Sequence, residues 1–121
     1  MLKGQYYEIQ AARLLQQAGL ELLERNYRCK LGEIDIICRD GPDIVFVEVR
    51  CRHNRHFASA AASVTINKQR KLIRTALFYL QRRGWSNDRA CRFDVVAISK
   101  STNSKTADND EIQWLKNAFV M

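Results

Sequence analysis

Residues 44 to 52 read Ile-Val-Phe-Val-Glu-Val-Arg-Cys-Arg, and no other stretch of the chain restricts the fold so tightly. A run so rich in β-branched and aromatic residues predicts a strand. Its first half is apolar on both faces, which places it centrally in a sheet covered on both sides. Side chains alternate faces along a strand, so Phe46, Glu48, Arg50 and Arg52 share one face. That face turns from apolar to charged halfway along, as expected of a strand running from a core into a cleft. A Glu within Val-Phe-Val-Glu-Val is costly to bury unless it is paired or metal-bound.

The segment before it poses the same problem. Glu33-Ile34-Asp35-Ile36-Ile37-Cys38 reads as a second strand, with Asp35 between two isoleucines. Asp40-Gly41-Pro42-Asp43 lies between the strands and has strong turn chemistry. The two strands therefore form an antiparallel hairpin that brings Asp35 close to Glu48, with the register left open. The rest of the chain supplies cover. Tyr7, Ala11, Leu14, Leu15 and Ala18 make one apolar helical stripe, which Gly19 ends. Leu20 to Arg28 is a candidate edge strand. Thr65 is placed to cap a second helix, whose apolar face is Ile73, Ala76, Leu77 and Leu80 and which Gly84 closes. Arg92 to Ile98 is a further strand, and Ile112 to Leu115 a short final one. Residues 53–64 and 100–110 read as loops. The order suits a single α/β sandwich over residues 1–121: a central mixed sheet flanked by helices.

The chain has 121 residues, enough for one domain with a real core. Its formal charge of +7 and pI near 9.5 point to a polyanionic partner, with nucleic acid first. The N-terminus lacks the apolar core of a signal peptide, and no stretch is long and apolar enough to span a bilayer, so a cytoplasmic protein with no membrane partner is expected. Cys29, Cys38, Cys51 and Cys91 include no Cys-x-x-Cys pair, which argues against zinc and for buried free thiols.

Two converging carboxylates beside a cation suit hydrolysis of a phosphodiester. Asp35 and Glu48 supply hard oxygen ligands for Mg²⁺ or Mn²⁺. A basic side chain two residues after the Glu is placed to orient water or stabilise transition-state charge. A buried ion pair that merely fastens the hairpin is the plainer reading. Arg50, Arg52, Arg55, Lys68, Arg70, Lys71 and Arg74 follow the acidic pair in sequence. They would form one phosphate-binding rim if the second helix packs beside the sheet; a solvated basic helix face is the alternative. Metal ligation by His53 and His56 is not expected. Glu33 either assists Asp35 or simply opens its strand. Trp85 and Trp114 read as packing residues.

Gly32-Glu33-Ile34-Asp35-Ile36-Ile37, Val45-Phe46-Val47-Glu48-Val49-Arg50, Arg92-Phe93-Asp94-Val95-Val96 and Trp114-Leu115-Lys116-Asn117-Ala118-Phe119 closely resemble the YraN family of functionally uncharacterised bacterial proteins. That family is similar to archaeal Holliday-junction resolvases and to the wider PD-(D/E)xK nucleases. The resemblance implies a restriction-endonuclease-like fold and metal-dependent cleavage of DNA, with branched DNA among the substrates. It implies Asp35 and Glu48 as motif carboxylates and Arg50 at the position of the motif Lys. Glu8, on the first helix, matches a further acidic position. Resolvases of this fold act as dimers, which extends the expectation to a homodimer. Arg50 is a departure: an arginine stays protonated and cannot act as a base, although it binds phosphate well. A nucleic-acid-binding module with a weak or lost nuclease site is therefore the alternative function, and a protein-binding adaptor is a third.

Overall fold

The computed structural model describes residues 3–52, 64–86, 89–99 and 111–121. Helix α1 spans Lys3–Gln17, followed by β1 (Glu21–Cys29), β2 (Gly32–Asp40), β3 (Asp43–Arg52), α2 (Ile66–Arg82), β4 (Cys91–Ser99) and β5 (Glu111–Phe119). The strands form one sheet in the order β1-β2-β3-β4-β5. β3 and β4 are parallel and are joined through α2; the other neighbours are antiparallel. The sheet is thus mixed, and β3 is its middle strand.

The apolar pattern of β3 explains the layering. Val45 and Val47 pack with Ile36, Cys38, Val96 and Ile98 against Ala11 and Leu15 of α1. Ile44 and Phe46 pack with Ile37, Phe93 and Val95 against Leu72, Ala76, Tyr79 and Leu80 of α2. Each half of the core is a helix on one face of the sheet, and β3 contributes to both. Phe46, Phe93 and Phe119 stack across β3, β4 and β5 with ring centroids 5.4 and 4.9 Å apart.

The helix ends form where the sequence signals them. Gly19 follows α1 at φ 96°, a conformation that glycine adopts without strain. Thr65 caps α2, its Oγ1 accepting the Lys68 N–H at 3.2 Å. Gly84, at φ 74°, closes the second helix.

Several expectations need correction. Ala18 lies beyond the end of α1 and is exposed, so the α1 stripe stops at Leu15. Leu77 is exposed, and Thr75 and Tyr79 take its place on the buried face of α2. β5 is longer than residues 112–115, because a bulge lets it continue to Phe119. Of the four free thiols only Cys38 is fully buried, and Cys51 is exposed. Of the loop expected over 53–64, Val64 is buried in the core beside α2; residues 53–63, and the loop expected over 100–110, lie outside the described residues. Among the described residues no helix is long and apolar enough to cross a membrane.

Candidate functional site

The site sits where the sheet forks. Ile37 pairs with Phe46 and Ile36 with Val47, so Asp35 and Glu48 are the next positions on the two strands. The ladder between β2 and β3 ends at Ile36–Val47, just short of them. Beyond it, β2 stays with β1 through Tyr27–Ile34 and Arg28–Glu33, while β3 stays with β4 through Glu48–Val95 to Arg52–Ser99. The Val49 N–H donates to Asp35 Oδ2 at 2.8 Å, so a side chain takes a backbone donor of β3 at the fork. This bond fixes the Asp35 carboxylate against β3.

Glu48 is 5% exposed. Burial pushes its carboxyl up to about 8, helped by a hydrogen-bonding contact with Asp35 and by the Asp35 charge; Lys68 and Arg50 partly oppose the shift. Lys68 Nζ lies 3.4 Å from Glu48 Oε2, within ion-pair range. That distance is not matched by hydrogen-bond geometry, because Glu48 Oε2 is buried and accepts no hydrogen bond. Glu8 approaches from α1. Its carboxyl is raised first by burial and then by the charge of Asp35, and its buried Oε1 also lacks a hydrogen-bond partner. Asp35 thus acts on both Glu8 and Glu48.

These oxygens fit a divalent cation. Buried carboxylate atoms without donors favour either a proton or a metal. Among the described residues no group of three or more His, Cys, Asp or Glu comes together as a self-sufficient metal cage. Two carboxylates, with water and substrate phosphate completing the shell, is the usual arrangement for Mg²⁺.

The cations distribute unevenly around the pair. Lys68 comes from the first turn of α2, whose N-terminal end adds partial positive charge and whose first turn holds no acid. Arg50 follows on β3, opposite Ala97 in the ladder, close enough to lower the Glu48 carboxyl. Lys71 lines a cleft of about 300 Å³ together with Lys68, Arg28, Glu33, Gly32 and Leu72. Gly32 makes room for that cleft: a Cβ there would meet Thr75 Oγ1 at 2.8 Å and the Lys71 chain at 3.4 Å. Arg70 and Arg74 are exposed on α2. Arg52 is the last residue of β3, and its side chain lies outside the description; Arg55, His53 and His56 lie outside the described residues altogether.

Glu33 pairs with Arg28 at 3.1 Å, both exposed, and its charge adds to the rise of the Glu8 carboxyl. Sequence reasoning set Lys68 among the phosphate contacts of a rim and missed its contact with Glu48. The Thr65 cap was the available signal, since it fixes Lys68 in the first turn, but the docking of α2 is a tertiary fact. Asp94 is a different kind of acid. It is fully buried and accepts from Arg92 Nε at 3.1 Å, Trp114 Nε1 at 2.9 Å and the Asn117 N–H at 2.8 Å. Satisfied on every side, it fastens β5 to β4. Trp85 and Trp114 both pack against the core, as expected.

A mixed five-stranded sheet between two helices, with acidic residues on its two central hairpin strands, is a restriction-endonuclease-like α/β sandwich. The chain belongs to the family described as Uncharacterised protein family UPF0102, whose model matches residues 7–98. It is similar to a UPF0102 protein of Janthinobacterium sp. (strain Marseille), with 51% identity over 118 residues, covering 98% of this chain and 87% of the relative. A UPF0102 protein of Nitrosomonas eutropha is 51% identical over 117 residues, covering 97% of this chain and 92% of that one. A third, from Aliivibrio salmonicida, is 46% identical over 120 residues, covering 98% and 92%.

Proposed function

We propose that this protein is a metal-dependent endonuclease that hydrolyses phosphodiesters in DNA, including branched DNA. One observation carries the reading: half-buried Asp35 and buried Glu48 converge at the point where β2 and β3 part, with Lys68 beside Glu48. A pair that only fastened the hairpin would be neutralised and hydrogen-bonded throughout, as Asp94 is, and Glu48 Oε2 is not.

Asp35 and Glu48 would hold Mg²⁺ or Mn²⁺, with Glu8 within reach of the Asp35 charge. The ion, when bound, neutralises phosphate charge and acidifies a water. The chain does the rest. Val49 holds the Asp35 carboxylate in one orientation. Lys68 keeps an ammonium beside Glu48, where it can orient water and offset charge on the phosphate as the water oxygen bonds to phosphorus and the leaving sugar oxygen departs. Arg50 stays cationic and holds phosphate. Lys71 extends the positive surface along α2, and Arg52 and Arg55, which follow Arg50 in sequence, are proposed as further phosphate contacts.

Arg50 favours a second reading, a nucleic-acid-binding module without cleavage, because the motif amine is missing from its usual position in sequence. Lys68 answers that objection by supplying an amine in space. Calorimetric titration with Mn²⁺ tests the metal role. The native protein is expected to bind one ion weakly without DNA, and Asp35→Asn to bind none. Equal heats from both proteins would remove Asp35 from the site.

A further inference from the structure

A second groove, distinct from the cleft at Lys68 and Lys71, lies between β1 and the C-terminal half of α2. It encloses about 450 Å³, and its walls include Tyr27, Phe78, Tyr79, Arg82 and Arg83. Tyr27 and Phe78 are half-buried. The guanidinium of Arg82 lies 5.8 Å from the Phe78 ring, and that of Arg83 lies 5.6 Å from Tyr79 and 4.6 Å from Trp85. Arg89 covers Trp85 as well, at 4.5 Å. Among the residues lining the groove the one carboxylate is Glu24.

The helix behind this groove is unusual in sign. Over Ile66–Arg82 it carries Lys68, Arg70, Lys71, Arg74 and Arg82 and no Asp or Glu. Surface helices ordinarily mix both signs and gain from opposite pairs one turn apart. α2 forgoes that gain along its whole length. Arg28 and Cys29 line both the groove and the cleft, so the two adjoin. Together they follow α2 from Lys68 to Arg82 for about 21 Å, at 1.5 Å per residue.

Rings and guanidinium planes have a particular use beside phosphates. A base stacks on them only when its face is free, that is, when the strand is unpaired. A smooth duplex would meet the cations of α2 but leave the rings unused. We infer that the groove between β1 and α2 binds a single-stranded nucleic-acid segment, with Tyr27, Phe78 and the guanidinium planes of Arg82 and Arg83 as its stacking platform. Resting on the nuclease reading above, this deepens it: the substrate has a duplex at the carboxylates and an unpaired arm along α2.

Fluorescence anisotropy tests the groove without any cleavage. The full-length protein, in EDTA, is titrated into a labelled oligothymidylate of about twenty nucleotides, longer than a typical single-strand site. An abasic strand of equal length, a blunt duplex and a polyglutamate peptide serve as competitors. Native protein is expected to prefer oligothymidylate to all three. The double variant Arg82→Ala, Arg83→Ala should weaken that binding about tenfold or more and lower the salt slope by roughly 1.4, at about 0.7 per phosphate contact. Phe78→Leu keeps the apolar volume but removes the ring, and should erase the preference over the abasic strand. Arg13→Ala on α1, the opposite layer of the fold, removes one charge and should have little effect. Thermal melts confirm that each variant is folded. The inference is overturned if the abasic strand, the duplex or the peptide binds as well as oligothymidylate, or if the Arg82/Arg83 variant binds like Arg13→Ala. Loss of metal-dependent cleavage elsewhere would leave this readout unchanged, so the two readings fail separately.

Discussion

Glu48 holds a carboxyl where water scarcely reaches, beside a second carboxyl, and this makes its protonation a stability term. An unfolded chain ionises it near 4.5; in the fold it ionises near 8. Below 4.5 both states carry the proton, and the group does not make stability depend on pH. Between those values the folded state binds the extra proton, so stability falls as pH rises, and the loss is complete above about 8. Glu48→Gln is neutral throughout and removes that slope. In EDTA its melting midpoint should match the native protein near pH 4 and exceed it at pH 8 by several degrees, at about 4 °C for each kcal/mol. A native-minus-variant difference that stays constant from pH 4 to 8 would contradict the placement of Glu48. Mn²⁺ should act the other way on the native protein, because metal binding displaces the proton. The sequence alone showed that Glu48 and Asp35 were expensive to bury. It did not show that Lys68 would stand next to them, since the partner lies across a helix docking that no local pattern encodes.

At the scale of elements, two contacts keep the fork in shape. Gly32 opens β2 directly under α2, at φ 154° and against Thr75. Gly32→Ala forces a methyl into Thr75 Oγ1 and should cost about 1–3 kcal/mol in denaturant unfolding, as overpacking does. Asp94 anchors the other side. Its carboxylate takes the Asn117 N–H where β5 bulges and Asn117 adopts φ 54°. Asp94→Ala leaves Arg92 with Asp40 alone, at 3.0 Å, and strips the Trp114 indole N–H and the Asn117 N–H of their acceptor, a loss of about 3–5 kcal/mol. The same variant should leave Mn²⁺ heats unchanged wherever it remains folded; a changed metal affinity would mean that Asp94 belongs to the site. Elements were legible to different depths. β3 announced itself because burial on both faces demands apolar residues at every position. β5 looked shorter than it is, because an exposed edge strand with a bulge has no steady alternation to read. Leu77 was misassigned because a helix stripe read by spacing alone cannot say which of two flanks meets the sheet.

The whole molecule joins an acidic fork to a basic helix. The positive charge of the chain, +7 in total, is gathered partly along α2, and the fork lies at that helix's N-terminal end. The sandwich and its single sheet followed from the order of the predicted elements. The groove between β1 and α2 was not foreseen, because Tyr27 and Arg82 are far apart in sequence and meet only through packing. In the proposed function, DNA cleavage depends on the carboxylates and DNA affinity on the cations. The most direct measurement is cleavage of a panel of linear, nicked, flapped and four-way DNA by native protein and by Glu48→Gln, with Mn²⁺ or EDTA, alongside binding to the same DNA. Native protein with Mn²⁺ should cut at least one branched member and stop in EDTA. Glu48→Gln should cut none while binding DNA in EDTA as tightly as native protein, since below about pH 8 the native carboxyl is itself uncharged. Binding without cleavage by native protein, and by Arg50→Lys, would contradict the enzyme and leave a binding module; equal cleavage by Glu48→Gln would place the chemistry elsewhere.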